Sequence, residues 1–293
     1  MRPAPFAYLR VNSVSAAHQA LAACGEDTKL IAGGLSLVQM LNSRKIRPRL
    51  VIDISRIEDL NHIRPHDGGL MIGATTRQRS VEHSSIVQTQ CPLLHAAIKH
   101  VGYARIRNQG TIGGSLALAD PLGELPAVAL AAGARLHISG PAGARIVDAD
   151  AFFRAGMTTC MARDELLLAV EFPAWPGRTA SAFREFNNNG SGYAIVGVAA
   201  MLALDETGLV RRLGLGLMGV AAGPFNAGPI AAPWLLGRTP DEAALQQAAD
   251  AVAAATDPAS DLLGPAAYRR HLARTLTLQT LKDAAGRLAA QTH

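Results

Sequence analysis

Two short stretches constrain this chain more than any other feature: "LIAGGLSL" at residues 30–37 and "RNQGTIGGSLALADP" at residues 107–121. In each, a glycine pair is preceded by an apolar residue and followed by a small hydroxyl residue: Ala32-Gly33-Gly34-Leu35-Ser36 and Thr111-Ile112-Gly113-Gly114-Ser115. A glycine pair between a strand and a helix makes a sharp elbow, because glycine tolerates unusual dihedrals and lets other atoms approach the main chain. The first amides of the helix lack internal partners and carry partial positive charge. Such an elbow can hold a phosphate without any Lys or Arg. One Gly-Gly pair reads equally well as a tight turn. Two copies in the same order point further, to one large phosphate-bearing ligand held between two loops. Neither copy has G-x-G-x-x-G or Walker A spacing, so an ordinary Rossmann or nucleotide-triphosphatase site is excluded.

A chain of 293 residues is long for one core and implies two or three subdomains. Its balance of 49% hydrophobic and 17% charged residues is that of a soluble globular protein. The net charge of +5 comes from scattered arginines with no basic block, which argues against a nucleic-acid partner. Cys24, Cys91 and Cys160 are too few and too far apart for an iron–sulfur cluster or a zinc ribbon. Their odd number fits a reducing compartment. His95, His100 and His137 show no metal-ligand spacing. No apolar run approaches ~18 residues and the start lacks a signal core, so the sequence predicts no membrane span and a cytoplasmic protein.

Ser13 is an N-cap for a helix over 14–24 that Gly25 ends. "KLIAGG" reads as a strand, "LVQMLNSRK" as a helix after Ser36, and "RLVIDIS" as a strand of β-branched and apolar residues. A hairpin follows around Asp67-Gly68-Gly69. Then come helices at "VEHSSIV", "PLLHAAIKHVG" and "PAVALAAG", and strands at "ARLHIS", "ARIVDA" and "DELLLAVEFP". Pro173 and the Pro176-Gly177 turn mark a boundary. "ASAFREF", "YAIVGVAAMLAL" and "LVRRLGLGLMGV" read as long antiparallel strands, and amphipathic helices over about 240–255 and 265–290 close the chain. The expectation is an α+β protein in three parts, residues 1–57, 58–176 and 177–293.

"IRNQGTIGGSLALADP" strongly resembles the signature of the FAD-binding (medium) subunit of molybdenum hydroxylases, the group that includes carbon monoxide dehydrogenase medium subunits and the flavin part of xanthine dehydrogenase. "AGGLSL" followed by "RPRLVIDIS" is similar to that family's first FAD loop and next strand, and "SGYAIVGVAAML" to its strand after the flavin. The resemblance runs through the whole chain in order. It implies a two-subdomain FAD-binding fold of the vanillyl-alcohol-oxidase/PCMH type, followed by a C-terminal antiparallel sheet with helices. It implies noncovalent FAD, with Ala32, Gly33, Gly34, Leu35 and Ser36, and Thr111, Ile112, Gly113, Gly114 and Ser115, around the pyrophosphate and nearby sugar atoms. Asp120 shares that pocket, Leu167 falls at a flavin-contacting leucine, and Tyr193 falls beside the isoalloxazine ring. It also implies two partners, a small subunit with [2Fe–2S] clusters and a large subunit with molybdopterin, in a heterotrimer or a dimer of heterotrimers. This chain would be the electron exit.

The chain departs from the family at several positions. Leu118 stands where a His is frequent, and Glu124 where Asp is usual. Asn187-Asn188-Asn189 and "GSGY" replace a basic pair and a Gly-Asp-aromatic sequence, and Arg184 falls at a family lysine near the flavin. Two further readings stay open at this point: a self-sufficient FAD oxidase of related fold, and a scaffold subunit that has lost FAD.

Overall fold

A computed structural model describes residues 2–175, 177–188 and 193–291. The Pro176-Gly177 turn, the end of the Asn187–Asn189 run and the first three residues of "GSGY" fall wholly or partly outside these. The chain begins with a parallel sheet of three short strands, β1 (Ala7–Arg10), β2 (Thr28–Ile31) and β3 (Leu50–Asp53), in the order β1-β3-β2. Helices α1 (Val14–Cys24) and α2 (Leu35–Asn42) make the crossovers. Ser13 Oγ accepts the Ala16 N–H at 3.1 Å and Gly25 caps the other end of α1, as the sequence predicts. α2 differs from expectation. It starts one residue before Ser36, with Gly34 as N-cap at φ +79°.

A five-stranded antiparallel sheet follows. Its order is β4 (Ile63–His66), β5 (Gly69–Gly73), β10 (Leu166–Phe172), β6 (Arg135–Gly140) and β7 (Gly143–Asp148). Asp67 and Gly68 both take positive φ in the β4–β5 hairpin, the geometry that matches strand twist. Between β5 and β6 run six helices: α3 (Gln78–Glu82), α4 (Ser85–Gln90), α5 (Pro92–Ala97), α6 (Ala104–Gln109), α7 (Ile112–Leu118) and α8 (Glu124–Ala132). The predicted helix "VEHSSIV" is broken at His83–Ser84, because the Ser84 hydroxyl caps a new helix at Val87 N–H. A short helix α9 (Ala149–Phe152) and a small ribbon of β8 (Phe153–Arg154) and β9 (Thr158–Thr159) lead into β10.

The last sheet is antiparallel in the order β11 (Arg178–Phe186), β12 (Val196–Leu204), β13 (Val210–Met218) and β14 (Phe225–Asn226). Helices α10 (Gly228–Leu235), α11 (Glu242–Ala254) and α12 (Ala266–Ala290) pack together, with α12 against β11 and β12 and α10 against β13. α8 packs against β12 and β13. Leu125 to Ala132 are all buried, as befits a helix that is apolar all round. β12 is buried along its whole length. The contact with α8 is close: a Cβ at Gly214 or Gly216 would run into the carbonyl oxygens of Ala131 and Ala127. α8 therefore joins the middle and last parts of the chain.

Candidate functional site

A cavity of about 830 Å³ lies between the parallel sheet and the five-stranded sheet. That is the upper part of the about 300–1,000 Å³ range of small-molecule and cofactor sites. Both glycine elbows line it, together with Tyr103 at the start of α6, Leu166 and Leu167 of β10, and Tyr193. The β10–β6 register shifts between Leu167 and Ala169, a bulge at the place where Leu167 meets the cavity. Of the residues singled out by sequence, all but Ile112 and Arg184 line this one space. Ile112 points into the core, 1% exposed. Arg184 is held in an ion pair with Asp283 of α12 at 2.6 Å. Neither belongs to the cavity wall, and the expected arginine beside the ligand is corrected accordingly.

The first elbow is open. Gly34 makes no side-chain cap, and the N–H groups of Leu35, Ser36 and Leu37 have no protein acceptor among the described residues. Positive partial charge at this helix start thus faces the cavity. Gly33 is a glycine for another reason: a Cβ there would strike the Gln109 carbonyl and lie 3.1 Å from Gly110 Cα.

The second elbow is closed. Ile112 N–H donates to Thr76 O (3.0 Å), Gly113 N–H to Ala74 O (2.9 Å), and Gly114 N–H to the Thr111 hydroxyl (3.0 Å). The sequence predicts the same phosphate-holding device twice; the structure leaves the amides open only at the first. Gly113 is required by packing, since a Cβ would sit 2.5 Å from Ala74 Cβ. Gly114 has only Thr111 Oγ1 near such a Cβ, and it lines the cavity.

One segment ties the two elbows together. Arg107, 8% exposed, makes a two-pronged ion pair with Glu82 at 2.9 Å and donates to the carbonyls of Val101 and Gly102. Arg107, followed by Arg79, holds the Glu82 carboxyl down to about 2. This fixes residues 101–110, whose far end presses on Gly33. Sequence analysis missed the Arg107–Glu82 pair, although Arg107 lies inside the stretch that drew attention.

The acidic side of the cavity is built by the turn after α7. Ala119 takes φ +51°, and Asp120 Oδ1 accepts the Leu122 N–H at 2.9 Å. Pro121 O accepts the Gly219 N–H at 2.7 Å, pinning the turn to the end of β13. Burial pushes the Glu124 carboxyl up to about 7, and the neighbouring charges of Glu185 and Asp120 add to this. Tyr193 is 66% exposed; partial burial, then Asp120 and Glu124, raise its hydroxyl. Lys29 is the one Lys or Arg on the wall among the described residues.

This donor set fits a flavin dinucleotide: open amides for a diphosphate, a glycine wall at 114, and an exposed tyrosine beside apolar side chains for a planar ring. Residues 4–175 match the family described as the FAD binding domain in molybdopterin dehydrogenase, and residues 181–284 the CO dehydrogenase flavoprotein C-terminal domain. The chain belongs to the FAD-binding medium subunits of the molybdenum hydroxylases, and is an oxidoreductase subunit of α+β fold.

Its relatives include the 6-hydroxypseudooxynicotine dehydrogenase complex subunit alpha of Paenarthrobacter nicotinovorans, 35% identical over 97% of this chain and 96% of that one. The carbon monoxide dehydrogenase medium chain of Hydrogenophaga pseudoflava is 34% identical over 99% and 100% of the two chains. A solved structure of carbon monoxide dehydrogenase from that organism superposes with a TM-score of 0.94 at 35% identity, covering 98% of this chain and 99% of that chain. Quinoline 2-oxidoreductase from Pseudomonas putida 86 superposes with a TM-score of 0.91 at 30% identity, over 98% and 99%.

Proposed function

We propose that this chain is the electron exit of a three-subunit molybdenum hydroxylase. It receives electrons from [2Fe–2S] clusters on a small partner, fed by a molybdopterin cofactor on a large one, and passes them to an external acceptor. The complex is a cytoplasmic heterotrimer or its dimer, and the chain divides at 57/58 and 176/177. Among the described residues no helix is long and apolar enough to cross a membrane.

Bound FAD supplies the electron-carrying chemistry, while the protein supplies binding, orientation and electrostatics. The amides of Leu35, Ser36 and Leu37 hold the diphosphate. Gly33, Gly34 and Ala32 shape that end of the wall, and Thr111, Gly113, Gly114 and Ser115 the opposite one. Leu167, Tyr193, Asp120 and Glu124 would line the space for the rest of the flavin. The observation that carries this reading is the open start of α2 on a cavity of about 830 Å³.

The test is the visible spectrum of the purified chain, with heat-released cofactor identified by chromatography. FAD is expected from the wild type, and none from Gly114→Asp at retained circular dichroism, because a carboxylate then enters the cavity. A wild-type chain that stays colourless with added FAD would leave a scaffold subunit as the better reading. Co-purification with an iron–sulfur subunit and a molybdenum subunit separates the electron exit from a self-sufficient oxidase.

A further inference from the structure

Two ionisable groups that the electron-exit reading leaves idle, His100 and Glu185, lie on elements packed around α8, whose first residue is Glu124. Glu124 opens that helix and lines the cavity. Glu185, on β11, has a side chain only 5% exposed. His100 follows α5, and its Nδ1 lies 3.3 Å from Glu185 Oε1. The elements that carry them pack on one another, α5 on both α8 and β11, and residues 98–100 on α8. Asn187 Nδ2 donates to the same Glu185 oxygen at 3.2 Å. The other oxygen, Oε2, is buried with no hydrogen-bond partner among the described residues. His100 packs on Phe183 at 5.1 Å between ring centroids and keeps 43% of its side chain exposed. The group thus has a wet end, a buried middle with a vacant acceptor, and a cavity end.

Counting charges shows what such a group does. The one basic side chain of the group, His100, faces Glu185. The charged and titratable groups acting on Glu124 are Glu185 from β11, Asp120 from the turn before α8, His100 from the end of α5, and Tyr193 ahead of β12. Burial first, then the charges of Glu185 and Asp120, favour a proton on Glu124. His100 is raised above the ordinary imidazole value, chiefly by its bond to Glu185. Sites that interact in this way titrate as a set.

We propose that His100, Glu185 and Glu124 form a proton-exchange path from solvent to the cavity wall. The path rests on the FAD reading for its purpose. Two-electron reduction of a bound flavin takes up at least one proton, and iron–sulfur clusters deliver electrons without protons. Glu124 would give that proton and regain one from water by way of His100 and Glu185. When the external acceptor withdraws the electron pair, the proton leaves with it or returns along the same path.

The first test needs no cofactor. Carboxyl-carbon and imidazole-nitrogen NMR titrations of the cofactor-free chain are expected to place Glu124 near 7 and His100 above its ordinary value. Glu185→Gln should lower both midpoints, because His100 loses its anion and Glu124 its repelling neighbour. A wild-type Glu124 in the ordinary carboxylate range overturns the proposal without any variant. So does a folded Glu185→Gln chain whose midpoints do not move. With FAD bound, the midpoint potential plotted against pH should change slope near pH 7 in the wild type and run straight in Glu124→Gln; a shared slope change overturns the path. Failure of the FAD reading is seen separately, as a colourless chain in which Glu124 still titrates near 7.

Discussion

At residues 32–36 the first amides of α2 open onto the cavity, whereas at residues 111–115 those of α7 are taken by Thr76, Ala74 and Thr111. The two sequences follow the same order, so the difference lies outside them. At the second elbow β5 runs alongside, and its end supplies the carbonyl and methyl group that close the helix start. At the first elbow the intruding atom is the Gln109 carbonyl, which excludes a side chain from Gly33 and leaves the amides beyond it free. One elbow is a joint between two elements, and the other leaves its amides open to the cavity. A shared glycine pattern reports a crowded backbone in both cases, and only the neighbours decide whether protein or ligand does the crowding.

Substituting the joint should have the largest effect. Gly113→Ala puts a methyl 2.6 Å from the Ala74 carbonyl oxygen, and the fixed strand cannot yield. Denaturant unfolding should show a loss of about 3 kcal/mol; a loss below about 1 kcal/mol would mean the joint flexes.

Cutting the tie between the elbows comes next. Glu82→Gln should cost about 2–3 kcal/mol at pH 7. The sign follows from a folded-state value near 2, below the unfolded 4.5. The carboxylate's contribution is complete above 4.5 and fades as pH falls toward 2, so thermal unfolding of the two chains should converge in acid. Parallel pH curves would show that the pair does not hold residues 101–110.

The smallest effect tests the seat itself. Inorganic diphosphate at about ten times its Kd should slow hydrogen exchange of the Leu35, Ser36 and Leu37 amides about tenfold, or about 1.4 kcal/mol. Exchange at Ile112, Gly113 and Gly114 should not change. Equal protection at both elbows would erase the distinction.

Much of the fold was legible because its signals are local. Ser13 and Gly25 bracket α1, the apolar run at 50–53 is β3, and the periodicity of 266–290 is one helix. What was not legible depends on residues far along the chain. Arg184 resembles a ligand-facing residue in its motif, but its partner Asp283 is on the last helix. Gly123 is the N-cap of α8, which leaves the Glu124 side chain to line the cavity. Gly33 and Gly113 read in sequence as glycines that serve a ligand, and the atoms that demand them are Gln109 O and Ala74. α10 carries Pro233 inside it, which masks its helical pattern. Both elbows, the turn at Asp120, Leu167 and Tyr193 converge on one cavity, which Ile112 and Arg184 do not line.

The glycines at 214 and 216 constrain how this chain can be recombined. They alternate along β13 so that both fall on the face beneath α8, where even a methyl group has no room. A chimera joining the first 175 residues to the C-terminal half of a relative would therefore succeed or fail on two hydrogen atoms in the donor strand. Matching its surface charge or its long closing helix would not rescue a graft that brought alanine to either position. The boundary between the two matched families is easy to draw in sequence, but the compatible seam lies some forty residues further on, inside a strand.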